Sequence, residues 1–472
     1  MRAPGNELAP GARFLLPVPP WRVRVAVIRQ AGGSVGNVRY VEEPAGIQRD
    51  QGRGGDLEFL LGTVPSGRGE ASLPRLSTRR QATAWLGTEL PNLTVCAEYA
   101  AAHDSLAQAV QIVAALADFL RDHGPWDQVR QLHDTAAATA HASGDRIGEA
   151  NAIHNLGVMQ RLNGNLADAV ASQQKAQRLF RDLGHRQGQA LALTEAAIAL
   201  RLNDNYQASA ASLADALELF RDLGDRQGQA NAHNSLGVVQ RMRGEYSTAA
   251  DQHRQALALY GDLGVRLGQA NALNFLSVIE RLTGDYHAAI SGHQRALLIA
   301  EELHDLQLQA DTLNFLGEAQ RLLRDHQGAA ASQEQALAIY MIEPVDMQGQ
   351  ADALGALGRL QLDIGDEEAA AASLRHALDL YRLLGSQAGQ AETLNTLGLL
   401  TSRSSAQQAE EYFTQAYDIA CRIGVPLEEA RALEGLGLSS SGDGTPLLLK
   451  AFEAYRRLGV PDQERVETIL FH

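Results

Sequence analysis

The chain has 472 residues, of which 45% are hydrophobic and only 5% aromatic, and a formal charge of −15 at pH 7. That length exceeds what one compact core serves, and the acidity argues against non-specific binding to nucleic acid. Charge is uneven: residues 1–80 hold twelve arginines against seven acids, a net +5, which leaves −20 for the remainder.

Residues 1–77 are rich in Gly, Pro and Arg and lack a helical period, which predicts a low-structure leader. Inside it WRVRVAVIR (21–29) and NVRYVEE (37–43) alternate like two strands around QAGGSVG, a hairpin pattern that is marginal alone. No start segment has the order of a signal peptide, and the most apolar run, AQAVQIVAALADFL, is short and interrupted by Asp118, so no membrane span is expected. Cys96 and Cys421 stand apart without metal or redox spacing, which fits a reduced, cytoplasmic setting. Helical pattern resumes in a lead-in at 78–103.

From 104 to 459 a block of forty residues recurs about nine times, followed by a capping segment at 460–472. One alanine column runs Ala136, Ala176, Ala216, Ala256, Ala296, Ala336, Ala377, Ala416, Ala451, and a second runs from Ala150 to Ala430. The spacing slips near Pro344. Each block reads as two helices. In 225–264, Asp225 is placed to cap the first, Gly244 to break it, Tyr246 to open the second and Gly264 to sit just past its end. Leu219, Leu259, Ile299 and Ile339 are placed to fill the space between blocks. The expected fold is an all-α solenoid whose surface serves binding.

The pattern resembles the tetratricopeptide repeat. Its Leu-Gly pair is seen at Leu156-Gly157, Leu236-Gly237, Leu316-Gly317, Leu357-Gly358 and Leu397-Gly398, its turn glycine at Gly164, Gly244, Gly284 and Gly365, and its aromatic at Tyr206, Tyr246 and Tyr286. The resemblance implies a right-handed superhelix with the first helix of each unit on the concave face. The unit here is six residues longer than the family's usual one and replaces its closing proline by a Leu-Gly turn. Residues 78–472 further resemble the tail of SARP/AfsR-type bacterial regulators, on Trp85-Leu86, Glu89, Pro91-Asn92-Leu93, Gly124-Pro125-Trp126, His133 and Gly144-Asp145. Those regulators carry an NB-ARC ATPase, but neither Lys175 nor Lys450, the only lysines, follows a glycine as a phosphate loop needs.

Three columns suggest where a ligand binds. Asn151, Asn231 and Asn271 form one, and Asn234, Asn274, Asn314 and Asn395 another; amides can pair with an extended peptide backbone, or else cap helices and bond a neighbouring unit. Recurrence in mid-helix favours the ligand reading. Arg161, Arg201, Arg241, Arg281 and Arg321 form the third, suited to carboxylates or phosphates, or else to the helix dipole and ion pairs between units. The ladder over 225–345, with its arginines facing solvent, is the expected main site. His253 and His293 occupy a packing position on the second helix, and His233 one on the first, so no metal is expected. No nucleophile elbow, His-Glu-x-x-His helix or clustered carboxylate pair supports catalysis, which leaves an enzyme as the remote alternative.

The expected function is therefore a cofactor-free, non-catalytic module binding a protein or peptide, with an acidic ligand favoured by the arginines. The alternative is the sensor arm of a SARP/AfsR-type regulator acting through a separate ATPase or DNA-binding partner.

Overall fold

A computed structural model describes residues 13–18, 22–27, 30–31, 34–35, 79–102, 110, 112–113, 116, 119, 126–342 and 346–471. Two compact units divide the chain, 1–199 and 200–472, with the boundary inside the helix Arg186–Leu202. Near the start Arg13–Val18 pairs antiparallel with Arg22–Val27, and Gln30–Ala31 with Ser34–Val35. The strand expected at 21–29 is present, but its partner precedes it. The other expected strand at 37–43, the Gly124-Pro125 turn and the slip at Pro344 lie outside the described residues.

Every later element among the described residues is a helix. In the first unit these are Arg79–Ala102, Trp126–Ser143, Arg146–Leu162 and Leu166–Asp182, leading into Arg186–Leu202. The second unit continues in pairs: Tyr206–Leu223, then Arg226–Met242 with Tyr246–Leu263, Arg266–Leu282 with Tyr286–Leu303, and Leu306–Leu322 with His326–Tyr340. Met347–Ile364 with Glu367–Leu384, Gln387–Thr401 with Ala406–Ile423, Pro426–Ser439 with Thr445–Leu458, and Asp462–Phe471 complete it. The all-α repeat architecture is as the period implies.

Local chemistry explains the boundaries. Asp225 Oδ1 accepts the Gly228 N–H at 2.8 Å, and Asp305, Asp325, Asp346 and Asp366 cap their helices in the same way. Gly264 ends Tyr246–Leu263 in the left-handed conformation at φ +69°. Both alanine columns are buried, with no exposed surface at any member but Ala136, which lets helices cross closely. The Leu-Gly glycine has the same purpose: a Cβ at Gly237 would run into His253 on the second helix. Of the residues expected between blocks, Ile299 is buried, while Leu219, Leu259 and Ile339 are half-buried.

The second unit also closes on itself. Tyr246, Ala250 and Ile279 share one apolar cluster with Leu427, Leu433, Leu448, Tyr455 and Val466 of its last helices. A Cβ at Gly244 would strike Leu458 and Pro426, and Pro461 lies beside Gly284. One repeat earlier, the Asp204 carboxylate accepts the backbone N–H of Gln387. Three successive turns thus meet two successive later repeats and the capping segment, which gives this unit an inner face.

Candidate functional site

The second asparagine column, expected to line the ligand groove, is instead buried at Asn274, Asn314 and Asn395 and half-buried at Asn234. Asn274 Nδ2 donates to Thr312 Oγ1 at 2.6 Å while its Oδ1 lies 3.0 Å from His293 Nδ1, and its side chain is buried. Asn234 pairs with His253 Nδ1 at 2.9 Å. Asn314 is buried, with its carbonyl receiving Gln333 Nε2, and Asn395 donates to the carbonyl and carboxylate of Glu428. The amides of Asn234, Asn274 and Asn395 join helices, whereas Asn314 receives Gln333 on its backbone carbonyl and keeps its Oδ1 buried without a partner. His253 and His293 are core residues, stacked on Phe275 and Phe315; burial first, then Arg241 and Arg281 respectively, lowers each imidazole to about 3, so both are neutral. His233 is buried and meets Gln252 at 2.6 Å.

The first asparagine column lies at the surface. Asn151 and Asn231 are exposed, the latter accepting the Tyr260 hydroxyl at 2.7 Å, and Asn271 is half-buried with no side-chain bond among the described residues. Continued along the chain, this column becomes Asp311, Asp352, Glu392 and Arg431.

The arginine column divides. In the first unit Arg161 Nε bonds Glu195 at 3.0 Å. In the second, Arg201 lies near Asp204, whose carboxyl burial pushes up against the Tyr206 hydroxyl, the Gln387 N–H and the Arg201 charge. Arg321 bonds Asp363 at 2.6 Å and Glu318 at 3.4 Å with its side chain only 14% exposed, a correction to its solvent-facing assignment. Arg241 and Arg281 are different. Their Nε atoms, like that of Arg321, are buried without partners, but unlike Arg321 neither makes an ion pair among the described residues. Burial lowers both guanidiniums, Arg281 to about 10, against the field of Glu392 on each and of Asp352 on Arg241.

Around them lies a network that the sequence columns do not single out. Arg359 bonds Glu318 at 3.3 Å on one side and Glu392 at 3.0 Å on the other, linking three repeats. Burial alone would raise Glu318, yet Arg359, Arg321 and Arg281 hold it down at about 2. Glu428 pairs with Arg431 at 2.7 Å. Asp311 and Asp352 accept Tyr340 and Tyr381 hydroxyls at 2.7 and 2.6 Å, and burial pushes their carboxyls up to about 6 and about 7. The signal for these residues was the asparagine column read past its change of residue type. The result is a mixed-charge inner face. Among the described residues no group of three or more His, Cys, Asp or Glu is placed to hold a metal, and no helix is long and apolar enough to cross a membrane.

Comparison with known proteins accords with this architecture. No curated protein matches the chain. The crystal structure of a Rap protein complexed with competence and sporulation factor is similar at a TM-score of 0.52 and 13% identity, covering 77% of this chain and 97% of that one. The Rap conjugation gene regulator of plasmid pLS20, in complex with the Phr* peptide, is similar at 0.54 and 12%, covering 70% and 95%. At these identities the likeness concerns the fold. A tetratricopeptide-repeat family model matches residues 188–262 and 268–341, and a second matches 351–382. The chain thus carries tetratricopeptide repeats over those residues.

Proposed function

We propose that the chain is a non-catalytic interaction module whose second unit holds a peptide or an extended partner segment on its inner face. The observation that carries this reading is the pair Arg241 and Arg281. Two guanidiniums in consecutive repeats, with buried Nε atoms and no ion pair of their own, are costly to keep unless a carboxylate or phosphate satisfies them. Asn271, on the helix that carries Arg281, adds an amide without a partner among the described residues. The Phr* peptide bound in one of the similar structures supports a peptide as the ligand. The sites of the buried asparagines and of Arg321 belong to folding, so the ligand ladder contracts to Asn231, Asn271, Arg241 and Arg281. Full-length chain on a resin is expected to retain peptides from the low-molecular-weight fraction of a cell lysate. The R241A/R281A variant, with an unchanged melting temperature, is expected to lose them; equal retention by both proteins would refute the assignment.

A regulatory reading rests on the motifs at 78–145 that resemble SARP/AfsR-type tails, and on one similar structure being a gene regulator. In it the same inner face is a cytoplasmic sensor whose output passes to a separate ATPase or DNA-binding protein. Co-purification of such a partner with the tagged chain, released by the retained peptides, tests it.

A further inference from the structure

Asp311 and Asp352 stand at the same place in consecutive repeats and are held identically. In each, Oδ1 takes two bonds: Tyr340 hydroxyl at 2.7 Å and Gln307 Nε2 at 3.2 Å on Asp311, Tyr381 hydroxyl at 2.6 Å and Gln348 Nε2 at 2.9 Å on Asp352. In each, Oδ2 has no partner among the described residues. Both carboxyls are half-buried. The next residue of the column shows what such a carboxylate takes here: Glu392 holds the Arg359 guanidinium at 3.0 Å. The last phenol–carboxylate pair shows it again, since Glu434 accepts the Tyr455 hydroxyl at 2.8 Å and Arg465 at 2.9 Å. The fold supplies a cation to two of the four carboxylates and withholds it from two. On the same inner face Arg241 and Arg281 make no ion pair among the described residues and keep a buried, unbonded Nε, with Asp352 and Glu392 within the electrostatic reach of Arg241 and Glu318 and Glu392 within that of Arg281.

We propose that Asp311 and Asp352 form a subsite for a guanidinium or ammonium group of the ligand, opposite an acidic group bound by Arg241 and Arg281. The ligand is then a peptide segment carrying both charges. This rests on the peptide-binding reading above and adds the ligand's chemistry to it. Two uncompensated signs on one half-buried face disfavour binding of a purely acidic or purely basic segment, because each would leave one set of buried charges unpaired. A mixed segment satisfies both, with Tyr340 and Tyr381 fixing the carboxylates in place beforehand.

The test uses full-length chain on a resin and four pools of random heptapeptides, containing one Arg and one Asp, one Arg, one Asp, or no charge. The mixed pool is expected to be retained at least about tenfold over the neutral one, a ratio of about 1.4 kcal/mol. D311N/D352N, which preserves shape and the tyrosine bonds, is expected to lose the preference for Arg and keep that for Asp; R241A/R281A is expected to do the reverse. Helical circular dichroism and melting temperature confirm that each variant is folded. Retention of peptides regardless of charge, or an Arg preference unchanged in D311N/D352N, overturns the subsite and leaves peptide binding standing. Retention of no pool overturns the peptide-binding reading and the subsite with it.

Discussion

Asn274 and His293 hold each other inside one repeat, Oδ1 to Nδ1 at 3.0 Å, with Thr312 of the next repeat completing the amide's bonds. The Asn274→Ala change leaves a buried imidazole and a buried hydroxyl without that partner, which costs about 1–3 kcal/mol. Urea denaturation is expected to show that loss with peptide retention unchanged in the folded fraction. An alanine variant of normal stability that no longer retains peptide would put the amide back on the ligand side.

The repeat, its caps and its crossing alanines were legible because each is a local requirement restated every forty residues. Asp225, Gly264 and Ala256 do what their positions imply. The direction of Asn274 was not legible, since a forty-residue column fixes which helix face a residue shares but not what stands opposite. Its partners, His293 and Thr312, lie on other helices. Arg321 is the same case: its counter-charges Asp363 and Glu318 come from a neighbouring repeat and from its own preceding turn. The charged pairs around Arg359 escaped notice for a further reason. They occur where the asparagine column changes to Asp311, Asp352 and Glu392, so a search for repeated identity stops just short of them.

Among the described residues Asp204 is one of three non-glycine residues with positive φ, at +55°, where most of the described turns use glycine. Its carboxylate compensates for that strain by accepting the Gln387 N–H at the start of Gln387–Thr401, a helix whose own Ser386 makes no side-chain cap. The Asp204→Gly change relieves the backbone but removes the cap. Its global stability is expected to move by less than about 1 kcal/mol, while amide exchange over 387–390 speeds up. Asp204→Ala keeps the strain, loses the cap and is expected to be the less stable of the two. Unchanged exchange at Gln387 in both variants would show that the bond does not hold the seam.

The arginine column is expected to separate under mutation. Arg321→Ala removes a guanidinium that joins Glu318 and Asp363, so about 1–3 kcal/mol of stability goes with it. Arg241→Ala removes a half-buried charge with no ion pair and is expected to leave stability equal or higher, while ligand retention falls. Thermal melts of the two single variants decide the matter. An Arg241→Ala protein that melts well below Arg321→Ala would make Arg241 a structural residue and withdraw it from the site.

The pH dependence of Asp352 follows from its raised carboxyl. Burial lifts it from 3.8 to about 7, with Glu392 and Asp311 adding to the rise and the Tyr381 and Gln348 bonds opposing it. Between those values the folded chain holds a proton that the unfolded chain has released, so this residue makes stability fall as pH rises through that window. The Asp352→Asn variant has no such term. It is expected to gain on the parent protein steadily from pH 4 to pH 7 and then hold a constant advantage on the order of 4 kcal/mol. His253 and His293, lowered to about 3 in the fold, titrate alike in both proteins and cancel in the difference. Chemical denaturation of the pair across pH 4–8 is the measurement. A difference that stays flat with pH would mean that Asp352 ionises as an ordinary carboxylate, and that its Oδ2 already has the cation assigned here to a ligand.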